Sequence, residues 1–190
     1  MNKPNGFDEV NAGDFIPPML GGHTCEIKQV KETTSSTGKP MVMVYFDFDQ
    51  KDDQPGYFAE QFRSDIRPDK KWPYAGTKWI LTEDADGKCS RNFKKFINAV
   101  EKSNNMTVSW GKGFEAQFKG KRIGAVFGEV ESEYNGKVSK RHEQRWWCEY
   151  DKAAAAEIPA PQLLDTKPAN NGGVADFINV PAGTDEDLPF

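Results

Sequence analysis

The 190-residue chain carries 25 Lys and Arg against 29 Asp and Glu, a formal charge of −4, with 37% hydrophobic and 12% aromatic residues. Its three cysteines, Cys25, Cys89 and Cys148, include no Cys-x-x-Cys pair, which excludes a disulfide framework and a zinc ribbon, and no apolar run approaches the length of a membrane span. The mean charge conceals a segregation: residues 60–147 hold 18 Lys and Arg against 12 acids, whereas residues 161–190 hold one against five, a pattern suited to a polyanion in one region and basic proteins in the other.

Residues 1–14 read as an N-terminal arm; Met1 to Gly6 lack the apolar stretch of a signal peptide, so the chain is expected in a reducing cytoplasm. A domain spanning 15–150 follows. Pro17-Pro18 and Gly21-Gly22 lead into a first strand over about 23–32 that carries Cys25, Ile27 and Val30. A polar turn over 33–40 then connects to a second strand, 41–48, where period two puts Val42, Val44, Phe46 and Phe48 on the core face and Met41, Met43, Tyr45 and Asp47 on the other. A third strand is expected over Tyr57 to Arg63. Residues 65–87, interrupted by Pro68, Pro73 and Gly76, read as a long irregular loop in which Trp72, Tyr74 and Trp79 sit among basic residues.

Ser90 is placed to cap a helix whose Phe93, Phe96, Ile97 and Val100 fall at i, i+3, i+4 and i+7, ending near Asn104-Asn105. Two strands, about 121–133 and 138–150, are joined by Asn135-Gly136, the strongest short hairpin signal. Ala153 to Ala156 extend the domain by one helical turn, and residues 151–184, rich in Pro and Gly beyond 159, read as a flexible linker. The chain ends on Asp185-Glu186-Asp187-Leu188-Pro189-Phe190, an apolar aromatic beside the terminal carboxylate and behind three acids. Such a peptide can bury its ring in a partner's pocket while its charges meet a basic rim.

Three strands, a helix and a two-strand hairpin is the element order of the OB-fold, a five-stranded Greek-key barrel that binds oligonucleotides. The fold expected is therefore mostly β, an OB-like barrel with one helix between strands three and four and a disordered C-terminal tail. The final six residues resemble the tail of bacterial single-stranded DNA-binding proteins, where acids close on Ile-Pro-Phe or Leu-Pro-Phe. The body resembles phage-encoded single-stranded DNA-binding proteins in its Pro/Gly entry to strand one, its Gly38-Lys39 turn, Phe118-Lys119-Gly120-Lys121 before a Gly-containing strand, and the Asn135-Gly136-Lys137 hairpin. The resemblance implies coating of single-stranded DNA during phage replication or recombination, in the host cytoplasm, and recruitment of replication, recombination or repair proteins by Asp185, Glu186, Asp187, Leu188, Pro189 and Phe190. The long loop before the helix and a linker poor in glutamine depart from the bacterial proteins, so tetramer formation is not implied and a homodimer stays open.

Single-strand binding needs flat apolar surfaces for unpaired bases and cations along the phosphates. The stacking candidates are Tyr45, Tyr57, Trp72, Tyr74 and Trp79; the cation candidates are Lys39, Arg63, Lys78, Lys119, Lys121, Arg122, Lys137, Lys140, Arg141 and Arg145. No cofactor or metal is expected, no phosphate-cradling glycine loop is present, and His23 and His142 with Cys25 and Cys148 lack a usual zinc spacing. The alternatives are an adaptor or recombination mediator using the tail alone, RNA in place of DNA, and a small metal-dependent nuclease built on Asp47 and Asp49 or on Glu129, Glu131 and Glu133.

Overall fold

The computed structural model describes residue 3, residues 16–134 and residues 137–164; most of the N-terminal arm, the Asn135-Gly136 turn, and residues 165–190 with the terminal peptide lie outside the described residues. Five strands, β1 (Gly21–Thr34), β2 (Pro40–Phe48), β3 (Thr77–Leu81), β4 (Arg122–Tyr134) and β5 (Lys137–Cys148), form one antiparallel sheet in the order β3-β2-β1-β4-β5. Helix α1 (Tyr57–Ser64) links β2 to β3, and helix α2 (Arg91–Asn104) links β3 to β4. This mostly-β arrangement, with a helix between the third and fourth strands, is OB-like. Among the described residues β3 and β5 share no ladder. Their gap is spanned by Lys78, whose Nζ donates to the Gln144 carbonyl at 2.7 Å.

Aromatic side chains fill the interior. Phe46, Phe48, Phe58, Phe96, Phe118 and Phe127 are all fully buried, and Phe46 meets Phe58 and Trp147 edge to face at 5.6 and 5.0 Å. On β2 the expected core set Val42, Val44, Phe46 and Phe48 is buried, but of the residues expected on the other face only Met43 and Tyr45 stay half-buried; Met41 and Asp47 are buried as well. Along β1 the core positions run Cys25, Ile27, Val30, a step of two and then three; a bulge between Ile27 and Gln29 absorbs the extra residue, so Val30 still faces inward. In α2, Ser90 Oγ accepts from the Phe93 N–H at 3.1 Å, the stripe Phe93, Phe96, Ile97, Val100 is buried, and Asn105 closes the helix in the left-handed region at φ 47°.

The third strand differs from expectation. Tyr57 to Arg63 is helix α1, and the strand is the five-residue segment Thr77–Leu81 inside the region read as irregular. Phe58 and Phe62 stand four apart, one helical step, and Gly56, at φ 68°, starts the helix without a side chain to cap it. Asp47 from β2 takes that role. It is 1% exposed, and it accepts from the N–H groups of Phe58 at 2.8 Å and Ala59 at 3.2 Å as well as from Phe48 at 2.9 Å.

After β5 a 3₁₀ turn, Tyr150–Ala155, returns across β1 and β4. The approach is close enough that a Cβ on Gly22 would lie 1.9 Å from the Ala153 carbonyl oxygen, and one on Gly124 2.5 Å from Cys148 Sγ. Only hydrogen fits at either place. The beginning of the expected linker is ordered against the sheet: Gln162 makes a parallel bridge to Val130, with Gln162 N–H donating to Glu129 O and Glu131 N–H donating to Gln162 O, each at 2.9 Å. Among the described residues no helix is long and apolar enough to cross a membrane.

Candidate nucleic-acid interface

The register places three rows of side chains on one face of β1, β2 and β3: Gln29, Tyr45 and Thr77; Lys31, Met43 and Trp79; Thr33, Met41 and Leu81. Residues directly opposite across antiparallel strands share a face, and this face is the reverse of the one that carries Val30, Val44 and Ile80 into the core. Tyr45, Met43, Trp79 and Leu81 are only half-buried. An aromatic and thioether strip that is not packed away is a surface suited to a flat apolar ligand. The Tyr45 hydroxyl donates to Met43 Sδ at 3.3 Å, so its ring lies along the strip, and burial pushes its phenol above the usual value.

One end of the strip is built up by the 3₁₀ turn Tyr74–Gly76, which follows Pro73. Tyr74 is 59% exposed, and its ring sits 5.2 Å from that of Trp79 at 37°. From across the β3–β5 gap the Arg141 guanidinium stands 6.0 Å from the Tyr74 ring and 2.9 Å from the Glu143 carboxylate. Burial, followed by the negative charge of Glu143, raises the Tyr74 phenol, and Arg141 opposes them. Two aromatic rings and a guanidinium therefore converge where unpaired bases could stack and a phosphate could be met.

The structure disposes of the candidates in separate ways. Tyr45, Tyr74, Trp79 and Arg141 come together. Lys78 belongs to the seam: burial is the larger influence on its ammonium and pulls it below its usual value, with Glu143 opposing and Arg145 reinforcing. Arg145 is half-buried beside Gly128, and its Nη1 has no hydrogen-bond partner among the described residues. Trp72 is a core residue, 7% exposed, its Nε1 donating to the carbonyls of Gly76 at 3.0 Å and Phe46 at 3.3 Å. Tyr57 begins α1; its ring stacks on Phe48 and its hydroxyl donates to the Ile16 carbonyl at 2.6 Å. Trp72 is enclosed, whereas Tyr57 is half-buried with one ring face on Phe48 and stands apart from the Tyr45–Trp79 strip.

The remaining cations lie on other elements. Lys39 is in the β1–β2 turn, and Arg63 on α1 pairs with Glu60 at 3.2 Å. Lys119, Lys121 and Arg122 lead into β4, with the Arg122 guanidinium 5.4 Å from the Tyr150 ring. Lys137 and Lys140 are exposed on the β4–β5 hairpin, where Lys140 pairs with Glu129 at 2.8 Å and lies 3.7 Å from Glu131. Asp185, Glu186, Asp187, Leu188, Pro189 and Phe190 lie outside the described residues.

The carboxylates weighed for catalysis have structural partners. Asp47 caps α1, and Asp49 accepts from Thr24 Oγ1 at 2.8 Å, from the Lys51 N–H at 2.9 Å and from the Tyr150 hydroxyl. His23 stacks on Phe48 at 4.0 Å with Nδ1 2.9 Å from Asp52, and His142 Nδ1 meets the Pro18 carbonyl. Trp110, 67% exposed, is an aromatic the sequence reading passed over. Its setting, Trp110-Gly111-Lys112-Gly113, was the available signal, since glycines on both sides of a lysine mark a loop rather than a core. Compared with protein-family models and with curated proteins, the sequence matches none.

Proposed function

We propose that this protein binds single-stranded DNA without sequence preference, coats it during replication or recombination, and recruits partner enzymes through its C-terminal peptide. The observation that carries the reading is the half-exposed strip of Tyr45, Met43 and Trp79, ending in the Tyr74–Trp79 pair with Arg141 beside it. Stacking is tolerant of sequence because every base has a π-face, and a guanidinium supplies both a phosphate contact and a cation over the ring. The OB-like strand order supports the same reading, as does the resemblance to phage proteins of this kind. The protein catalyses no reaction in this account. Preference for oligo-dT over the matched duplex is the experiment that tests it.

The tail enters through charge. Residues 161–190 hold five acids against one basic residue while 60–147 carry a basic surplus, so the tail competes with DNA for the domain's cations. Removal of residues 185–190 is expected to tighten oligo-dT binding at low salt by about three- to tenfold, the worth of one or two exposed charge pairs. The gain should vanish as salt shortens the screening length. Anisotropy titration of the truncated and full chains at two salt concentrations checks this, and equal affinity at low salt rules the competition out.

A further inference from the structure

At the other end of the strip, where the β1–β2 hairpin meets the segment between α2 and β4, lies a groove of about 630 Å³ lined by Thr33, Met41, Thr82, Phe93, Trp110 and Phe114. It borders the end of the face described above, where Thr33 and the buried Met41 form the last row and Thr82 follows β3 directly, and it reaches around the hairpin to the core side, where Val42 and Phe93 line it. Trp110 forms its wall. One face of the indole is stacked on Phe114 at 5.4 Å and 16°, Phe93 meets it edge-on at 6.1 Å, and an exposure of 67% leaves the second face open. Gly111 at φ 95° and Gly113 at φ 88° take conformations that residues with a Cβ rarely adopt, and they turn the loop so that Lys112 also lines the groove.

The charges decide what fits. Inside the groove the carboxylates of Glu32 and Glu115 outnumber the single ammonium of Lys112, and Glu115 is held in place by accepting from the Glu32 N–H. A phosphate seated inside, against those two carboxylates, or a peptide as acidic as Asp185-Glu186-Asp187, is repelled. A neutral planar group that needs only a stacking partner is not. From Tyr45 to Met41 the strand advances about 13 Å, and OB-fold sites span about 4–16 nucleotides, so one strand can reach both ends.

We propose that the Trp110 groove is a second base-stacking subsite on the same single-strand path, taking one unpaired base against the open indole face while Lys112 at its rim and Lys39, the residue before the lining Pro40, meet the flanking phosphates outside it. The inference rests on the single-strand-binding reading above. The test compares full-length wild type with Trp110→Ala, Trp110→Phe and Lys112→Glu, using oligo-dT of about 4 and about 15 nucleotides, lengths at the two ends of the OB-fold range. Trp110→Ala should weaken binding of the longer oligonucleotide by about 5- to 100-fold and leave the shorter one unchanged. Trp110→Phe should recover most of the loss, and Lys112→Glu should weaken the longer one alone. If wild type binds both lengths and Trp110→Ala binds them equally well, the subsite is refuted while the underlying reading stands. If wild type binds neither, both fall. A peptide of residues 185–190 that alone quenches the emission lost in Trp110→Ala would assign the groove to the tail and overturn the proposal.

Discussion

Alanine at both Tyr74 and Trp79 is expected to weaken oligo-dT binding by about 2–4 kcal/mol, roughly 30- to 1,000-fold. The two rings lie 5.2 Å apart on a turn and an edge strand, so they form one platform for one or two bases, and their losses should be less than additive. The fold should tolerate the change. Tyr74 is 59% exposed, and Trp79 faces away from the side of the sheet that buries Val44 and Ile80. Arg122→Ala is the matched control, since that guanidinium lies over Tyr150 and not beside Tyr74. A loss below threefold in the double variant, with an unchanged melting temperature, would remove this face from the interface.

The second large effect concerns stability. Asp47→Ala is expected to destabilise the domain by about 3 kcal/mol, because three backbone N–H groups, those of Phe48, Phe58 and Ala59, lose their acceptor and each such buried donor costs about 1–3 kcal/mol. Asp47→Asn keeps an acceptor oxygen and should cost far less. Burial is the largest influence on this carboxyl and raises it, against the opposing N–H groups of Phe58 and Ala59, the charge of Lys28 and the N–H of Phe48. The sign follows. An acid whose folded value is raised disfavours folding when ionised; that cost is complete above the folded value and disappears as pH falls below the unfolded one. The deficit of Asp47→Ala relative to wild type should therefore be no smaller at pH 4 than at pH 7. Urea melts of the three proteins at both pH values check the pattern, and equal stability of wild type and Asp47→Ala would remove the capping role.

Asp47 also illustrates what the sequence could convey. Period two placed it on the outer face of β2, and nothing local indicated that the helix after Gly56 would use it as a cap, since that contact joins residues 11 apart. The same gap explains the misread third strand. Tyr57, Phe58 and Phe62 are residue types common in strands, whereas their spacing is helical, and the actual β3, Thr-Lys-Trp-Ile-Leu, is too short to show a period. Elements with strong local signals were legible: β2 by alternation, α2 by its cap and stripe, the β4–β5 hairpin by Asn-Gly.

The site was legible in part for the same reason. Tyr74, Trp79 and Arg141 were each identifiable as aromatic or basic residues in polar company, but their convergence depends on β3 and β5 flanking one gap, which is a property of the strand order. Trp72 and Tyr57 looked equivalent to Tyr74 in sequence. What separates them is that Trp72 is buried with its indole N–H bonded to the Phe46 and Gly76 carbonyls, and that Tyr57 lays one ring face on Phe48. The ordering of residues 156–164 against β4 was also invisible, because Gln162 pairs through its backbone.

Titration of the intrinsic Trp fluorescence with oligo-dT and with the matched duplex, at low and moderate salt, decides whether the domain binds single strands. Strong quenching by the single strand and little by the duplex is expected, with log affinity falling against log salt at a slope of about −0.7 per phosphate contacted. Absence of quenching together with absence of single-strand binding by anisotropy would contradict the proposed function and leave the acidic Leu-Pro-Phe peptide as the chain's principal means of action.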